Sequence, residues 1–154
     1  MLDPEQQLEK LGLTLPKTSA PMANYVPTVQ VANFVFVAGQ LPRASDGSII
    51  TGRVGDTMEI EDARLAAENC GLHALAALKN EIGELRKVAR VVRVMGLVNT
   101  TPDVAQQPLV INGFSDLMVA VFGEQGKHAR VAYGVASLPS GAVVEIEALF
   151  EVLG

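Results

Sequence analysis

One cysteine stands among 154 residues, so no disulfide can close within the chain and the fold must rest on burial. That residue, Cys70, lies in an Ala-rich stretch with helical spacing and reads as a small core residue rather than a nucleophile. Charge is sparse as well, at 19% of residues, and the 12 Lys and Arg are scattered. A net charge of −5 without a basic cluster argues against nucleic acid as a partner, because phosphate-backbone affinity comes from neutralising many phosphates at once. No apolar run approaches the roughly 18 residues of a membrane helix, so no membrane role is expected. The opening MLDPEQQLEK is acidic and polar, unlike a secretory signal, and the expected setting is the cytoplasm. His73 and His128 are two lone histidines outside any cluster of ligands, so no metal site is expected. No glycine-rich phosphate loop appears either, since Gly52-Arg53-Val54-Gly55 lacks the Lys-Ser/Thr that follows such loops.

What the chain does have is apolar surface. Hydrophobic residues make up 49% and the mean hydropathy is +0.28, more than one domain of this length needs to fill its core. The excess points to apolar area covered by another subunit.

Periodicity sets out the elements. Pro4–Leu15 suits a short amphipathic helix ending near Gly12, and Pro21 and Pro27 then impose an extended approach. Val29–Ala38 reads as one strand, ended by Gly39-Gln40-Leu41-Pro42. Ser45–Ser48 is a turn by composition, and Ile49–Thr51 a short return. From Met58 to Leu78, apolar residues recur at three and four, the mark of an amphipathic helix. Val88–Val98 reads as a strand, 99–108 as a polar loop and Leu109–Phe122 as a second helix stopped by Gly123. Ala129–Ser137 and Ala142–Leu153 read as a hairpin about Leu138-Pro139-Ser140-Gly141. The whole is a single α+β domain over residues 1–154, with 1–19 as an N-terminal extension and two helices on one face of a mixed sheet. Nothing in the chain covers the other face, a second reason to expect oligomerisation.

The chemistry concentrates in the last two strands. In VVEIEALFEV, period two places Val144, Ile146, Ala148, Phe150 and Val152 on one face, toward the helices. Glu145, Glu147 and Leu149 share the other. In the hairpin register Gly134 faces Glu145 and Arg130 faces Leu149, so Arg130 and Glu145 emerge on one side. Arg130 then has only Ala132 and Gly134 beside it, a niche in which a guanidinium could grip a carboxylate through two parallel hydrogen bonds. Periodicity alone favours a surface Arg paired with one of three glutamates. Four residues along a strand is about 13 Å, too far for both groups to hold one small ligand, so Arg130 stretches, the register differs, or another subunit completes the site.

The segment HARVAYGVASLPSGAVVEIEA resembles the signature of the Rid (YjgF-like) family, also labelled L-PSP endoribonuclease. An Ala-Arg pair opens a strand, a Leu-Pro turn follows, then Val-Glu-Ile-Glu. APMANYVPTVQVANFVFVAGQLP resembles the same family's N-terminal segment, and the likeness covers roughly residues 20–153. It implies a chorismate-mutase-like fold and a homotrimer whose sheets form a central barrel, with clefts between subunits. It also implies hydrolysis of 2-aminoacrylate-type enamines and imines to a 2-keto acid and ammonia, without metal or organic cofactor. By motif, Arg130 corresponds to the arginine that binds the substrate carboxylate and Tyr25 to a tyrosine lining the cleft. Glu145 matches the glutamate that helps to position water, Gly39 a glycine bordering the substrate, and Asn112 a helix asparagine near the site. Phe114 and Ala132 complete the expected substrate-binding set. Ala132 and Val131 depart from the usual Cys and Ser, and Lys127-His128 stands in place of the usual Pro. Two other readings remain: a non-catalytic trimer binding small carboxylates as a sensor or chaperone-like module, and an endoribonuclease.

Overall fold

The computed structural model describes residues 2–18, 20 and 23–154; the beginning of the expected extended approach, around Pro21, lies outside them. Helix α1 (Pro4–Lys10) is set by a capping box, in which Asp3 accepts from the Gln6 backbone and Gln6 from that of Asp3. It ends at Lys10, with Leu11 as its cap and the left-handed Gly12 (φ 72°) beyond, where the sequence placed its stop. Buried Leu8, a Gln7–Ala120 hydrogen bond and Glu5 accepting from the Leu85 backbone hold it against the body of the domain.

The expected single strand Val29–Ala38 is two: β1 (Thr28–Val31) and β2 (Phe34–Gln40), an antiparallel hairpin turning at Ala32-Asn33. Ala32 takes φ 52° there without a glycine, which is why the sequence carries no turn signal. Asn33 secures the turn by donating to Glu151. The expected return at Ile49–Thr51 survives only as bridges of Ile49 to Arg43 and Thr51 to Ala142.

Helix α2 (Ile60–Ile82), strand β3 (Val88–Asn99) and helix α3 (Gln107–Phe122) follow within a few residues of the expected bounds. The helices approach so closely that a side chain at Gly113 would run into the Arg64 carbonyl.

The last two strands overturn the hairpin reading. β4 (Ala129–Val135) pairs parallel to β3, while β5 (Val144–Val152) inserts between β2 and β3, giving the order β1-β2-β5-β3-β4. The chain is thus an α+β unit with a mixed, five-stranded sheet. Face assignment along β5 is as expected: Val144, Ile146, Ala148, Phe150 and Val152 are buried with Val35, Val37, Val91, Val94 and Val98 beneath α2 and α3. The opposite face carries Val29, Val31, Phe34, Phe36, Val131 and Tyr133, each at least 38% or more exposed. That is a large apolar surface on one chain. No helix among the described residues is long and apolar enough to cross a membrane.

Candidate functional site

Sheet register decides which predicted residues can meet. Arg130 pairs with Val94, which faces the helices, whereas Glu145 pairs with Leu97, three residues along β3 and so of opposite parity. The expectation that Arg130 and Glu145 share a face is therefore wrong, because it rested on a β4–β5 hairpin that does not form.

Glu145 lies at the interrupted edge of the sheet. Between Val37 and Gln40 the pairing of β2 with β5 slips, and the bulge opens a cavity of about 330 Å³. Tyr25, Gly39 and Glu145 all line it, together with Gln40, Arg43, His73 and Asn80. Gly39 has a specific reason to be glycine: the Glu145 carboxylate occupies the space a β-carbon would take. Burial, then the neighbouring Glu147, push the Glu145 carboxyl above the usual carboxylate range. Burial, then Arg43, pull His73 below its ordinary value, so the cavity wall holds a neutral imidazole beside a guanidinium. Beneath it, burial and then Glu145 drive the Cys70 thiol well up, consistent with its reading as a core residue.

Arg130 stands elsewhere, on the edge strand β4. Its Nη1 donates to Asn112 Oδ1 at 2.8 Å and to Ser115 Oγ at 3.1 Å. Among the described residues no carboxylate lies within ion-pair distance of it. The alternative of a surface Arg paired with a glutamate therefore does not hold within one chain. The expected niche beside Gly134 is filled, since Thr100 and Gln107 crowd the position of its missing β-carbon. Ala132 is half-buried against the core. Phe114 has no exposed surface and in the single chain can support a site only from behind. Two separate groups result: Tyr25, Gly39 and Glu145 at one edge of the sheet, Arg130 and Asn112 at the other.

Sequence reasoning missed Arg43, Asn80 and Ser115, and set His73 aside. The signals were present in the helical spacing. His73, Ala76, Ala77 and Asn80 fall at i, i+3, i+4 and i+7 on α2, and Ser115 lies three residues after Asn112 on α3. A separate depression of about 230 Å³ on the open face, lined by Val29, Phe36, Met95 and Leu149 among others, contains none of the predicted site residues. No group of three or more His, Cys, Asp or Glu among the described residues is arranged to hold a metal ion.

Comparison with known proteins agrees with this architecture. A family model described as "YjgF/chorismate_mutase-like, putative endoribonuclease" matches residues 5–152. The chain belongs to the YjgF family. Protein TCP17 of Trypanosoma cruzi is 42% identical over 145 residues, covering 94% of this chain and 91% of its own. A crystal structure of a protein with unknown function from Agrobacterium tumefaciens is 45% identical, with a TM-score of 0.90 over 97% of this chain and 94% of that one. RidA from an Antarctic Psychrobacter is 26% identical, with a TM-score of 0.61 over 88% of this chain and 94% of its own. The resemblance read from the HARVAYG and GQLP segments thus identifies the family, whose members carry both RidA and endoribonuclease descriptions.

Proposed function

We propose that the protein hydrolyses small enamines and imines that carry a carboxylate, releasing a 2-keto acid and ammonia. The observation that carries this reading is Arg130: an exposed guanidinium held by two neutral side chains, with its charge unanswered by any carboxylate among the described residues. Such a group is a receptor for an acid from outside the chain. The likeness to RidA supports the same reading.

Catalysis in this account is positioning followed by proton transfer. Arg130 grips the substrate carboxylate beside Asn112. Water adds to the protonated C=N carbon, and Glu145, whose burial raises its proton affinity, takes a proton from it. Glu145 returns that proton to the amino nitrogen of the carbinolamine, which leaves as ammonia as the hydroxyl proton passes to water, giving the 2-keto acid. Tyr25 orients the water or the leaving nitrogen, and the Gly39 backbone borders the ligand. No metal or cofactor enters any of these steps.

One chain keeps the two halves of this site apart, so the proposed reaction takes place between subunits of a homotrimer. There Arg130 of one copy completes the Tyr25–Gly39–Glu145 cavity of the next. Val31, Phe34 and Phe36 on the uncovered face supply the apolar area that such an assembly needs.

The test is competitive trapping. An amino-acid oxidase generates the imine, semicarbazide competes for it, and the protein is added beside its Arg130→Ala variant. Suppression of the semicarbazone by wild type alone supports the reading. Equal trapping with both proteins across small and bulky imines removes it, and leaves a trimer that binds small carboxylates without turning them over.

A further inference from the structure

Behind Arg130 runs a chain of hydrogen bonds whose direction can be worked out. His128 Nδ1 lies 2.6 Å from the Gly126 carbonyl oxygen. A carbonyl can only accept, so Nδ1 bears the hydrogen and Nε2 of the neutral ring presents a lone pair. Burial first, and the charge of Arg130 as well, hold this histidine below its ordinary value against the Gly126 bond, which acts the other way. Nε2 is 2.9 Å from Ser115 Oγ, and the only hydrogen available to that contact belongs to the serine hydroxyl. Ser115 therefore donates to His128. Its lone pairs are left facing Arg130, whose Nη1 donates to it at 3.1 Å and to Asn112 Oδ1 at 2.8 Å. Both hydrogens of Nη1 are then used. Nε and Nη2, which bear the remaining three of the guanidinium's five, make no hydrogen bond among the described residues.

We propose that Ser115 and His128 are positioning residues that lock Nη1 of Arg130 and leave its Nε–Nη2 edge as the fork for a ligand carboxylate. The inference rests on the reading of Arg130 as the substrate anchor and adds which edge is used and what fixes it. A free arginine can rotate among several poses and offer a carboxylate either its side or its end. Here the tautomer of His128 fixes the hydroxyl of Ser115, the hydroxyl fixes Nη1, and the end-on approach is occupied. The pre-organisation lowers the ordering cost of binding. Ser115 and Asn112 can act together because three residues along α3 bring them to one face.

Pyruvate, the simplest product of the proposed reaction, serves as the probe. Binding is followed by NMR titration on the intact protein with the arginine Nε–H signals observed, for wild type, Arg130→Ala, Ser115→Ala, Ser115→Thr, His128→Phe and the double variant Ser115→Ala with His128→Phe. The expected result is a shift of the Arg130 Nε–H signal on binding in wild type and no binding by Arg130→Ala. Ser115→Ala and His128→Phe bind roughly tenfold more weakly, the loss of about one hydrogen bond to a charged group. The double variant is no weaker than either single one, because both act through the same chain. Ser115→Thr keeps the hydroxyl and restores wild-type affinity, which a loss of folding would not allow. Wild-type affinity in Ser115→Ala and His128→Phe, with Arg130→Ala still inactive in binding, overturns the inference and leaves the anchor standing. Wild-type affinity in Arg130→Ala overturns the anchor and the inference together.

Discussion

Arg130 and Glu145 point to opposite sides of one sheet, Arg130 beside Val94 and Glu145 beside Leu97. Neither can turn to meet the other, because a β-strand alternates its side chains strictly and this part of β3 pairs without a register shift. The proposed site is therefore one that a single chain cannot complete.

The uncovered face should be where copies meet. Phe36→Glu, placing a charge among Val29, Leu149 and Arg93, is expected to give a folded monomer by light scattering with unchanged far-UV circular dichroism. A trimer that survives the substitution assigns the interface elsewhere.

Glu145 has a signed dependence on pH. Its carboxyl holds a proton more tightly in the folded chain, through burial and then the neighbouring Glu147, than an exposed glutamate does. Such a group stabilises the fold at low pH and gives up that contribution as pH rises through its folded value. Glu145→Gln is accordingly expected to raise Tm at pH 7 to 8, with the advantage gone below about pH 4. Thermal melts across that range check it, and an equal gain at every pH contradicts it.

Gly39 faces the same carboxylate. Gly39→Ala must displace Glu145 Oε1, the mobile end of a side chain rather than backbone. The expected result is a fall of at least about tenfold in kcat/KM with a small change in Tm, read from imine hydrolysis and a melt on the same sample.

Gly113 tests the packing instead. A methyl group there meets the Arg64 carbonyl on α2, and backbone cannot yield as a side chain does. Gly113→Ala is expected to cost about 1–3 kcal/mol, seen as a lower urea midpoint at unchanged m-value.

Local pattern made much of this legible in the sequence, and partner choice was what it concealed. The alternation Val144, Ile146, Ala148, Phe150 and Val152 gave the buried face of β5 correctly, because facing depends only on period two. The Leu138–Gly141 turn suggested a hairpin, yet β5 crosses to the middle of the sheet. Turn composition shows where a chain reverses, not which strand it then joins. The Ala32-Asn33 turn was hidden because alanine takes the positive φ that glycine usually advertises. Tyr25, Gly39 and Glu145 could be grouped only through the family resemblance, since they come from distant segments joined by the β2 bulge. Ser115 escaped for a different reason: a serine on a helix and a histidine before a strand form a relay only once α3 lies across β4.

The most direct test of the account is complementation between Arg130→Ala and Glu145→Gln. Each variant alone is expected to be inactive in imine hydrolysis. Unfolded and refolded together at equal amounts, they form mixed trimers in which about a quarter of the intersubunit clefts pair an intact Arg130 with an intact Glu145, if each cleft draws one from each of two neighbours. Recovery of about that share of wild-type activity is the predicted result. Absence of any recovery, with mixed trimers verified by mass, would contradict a site shared between subunits.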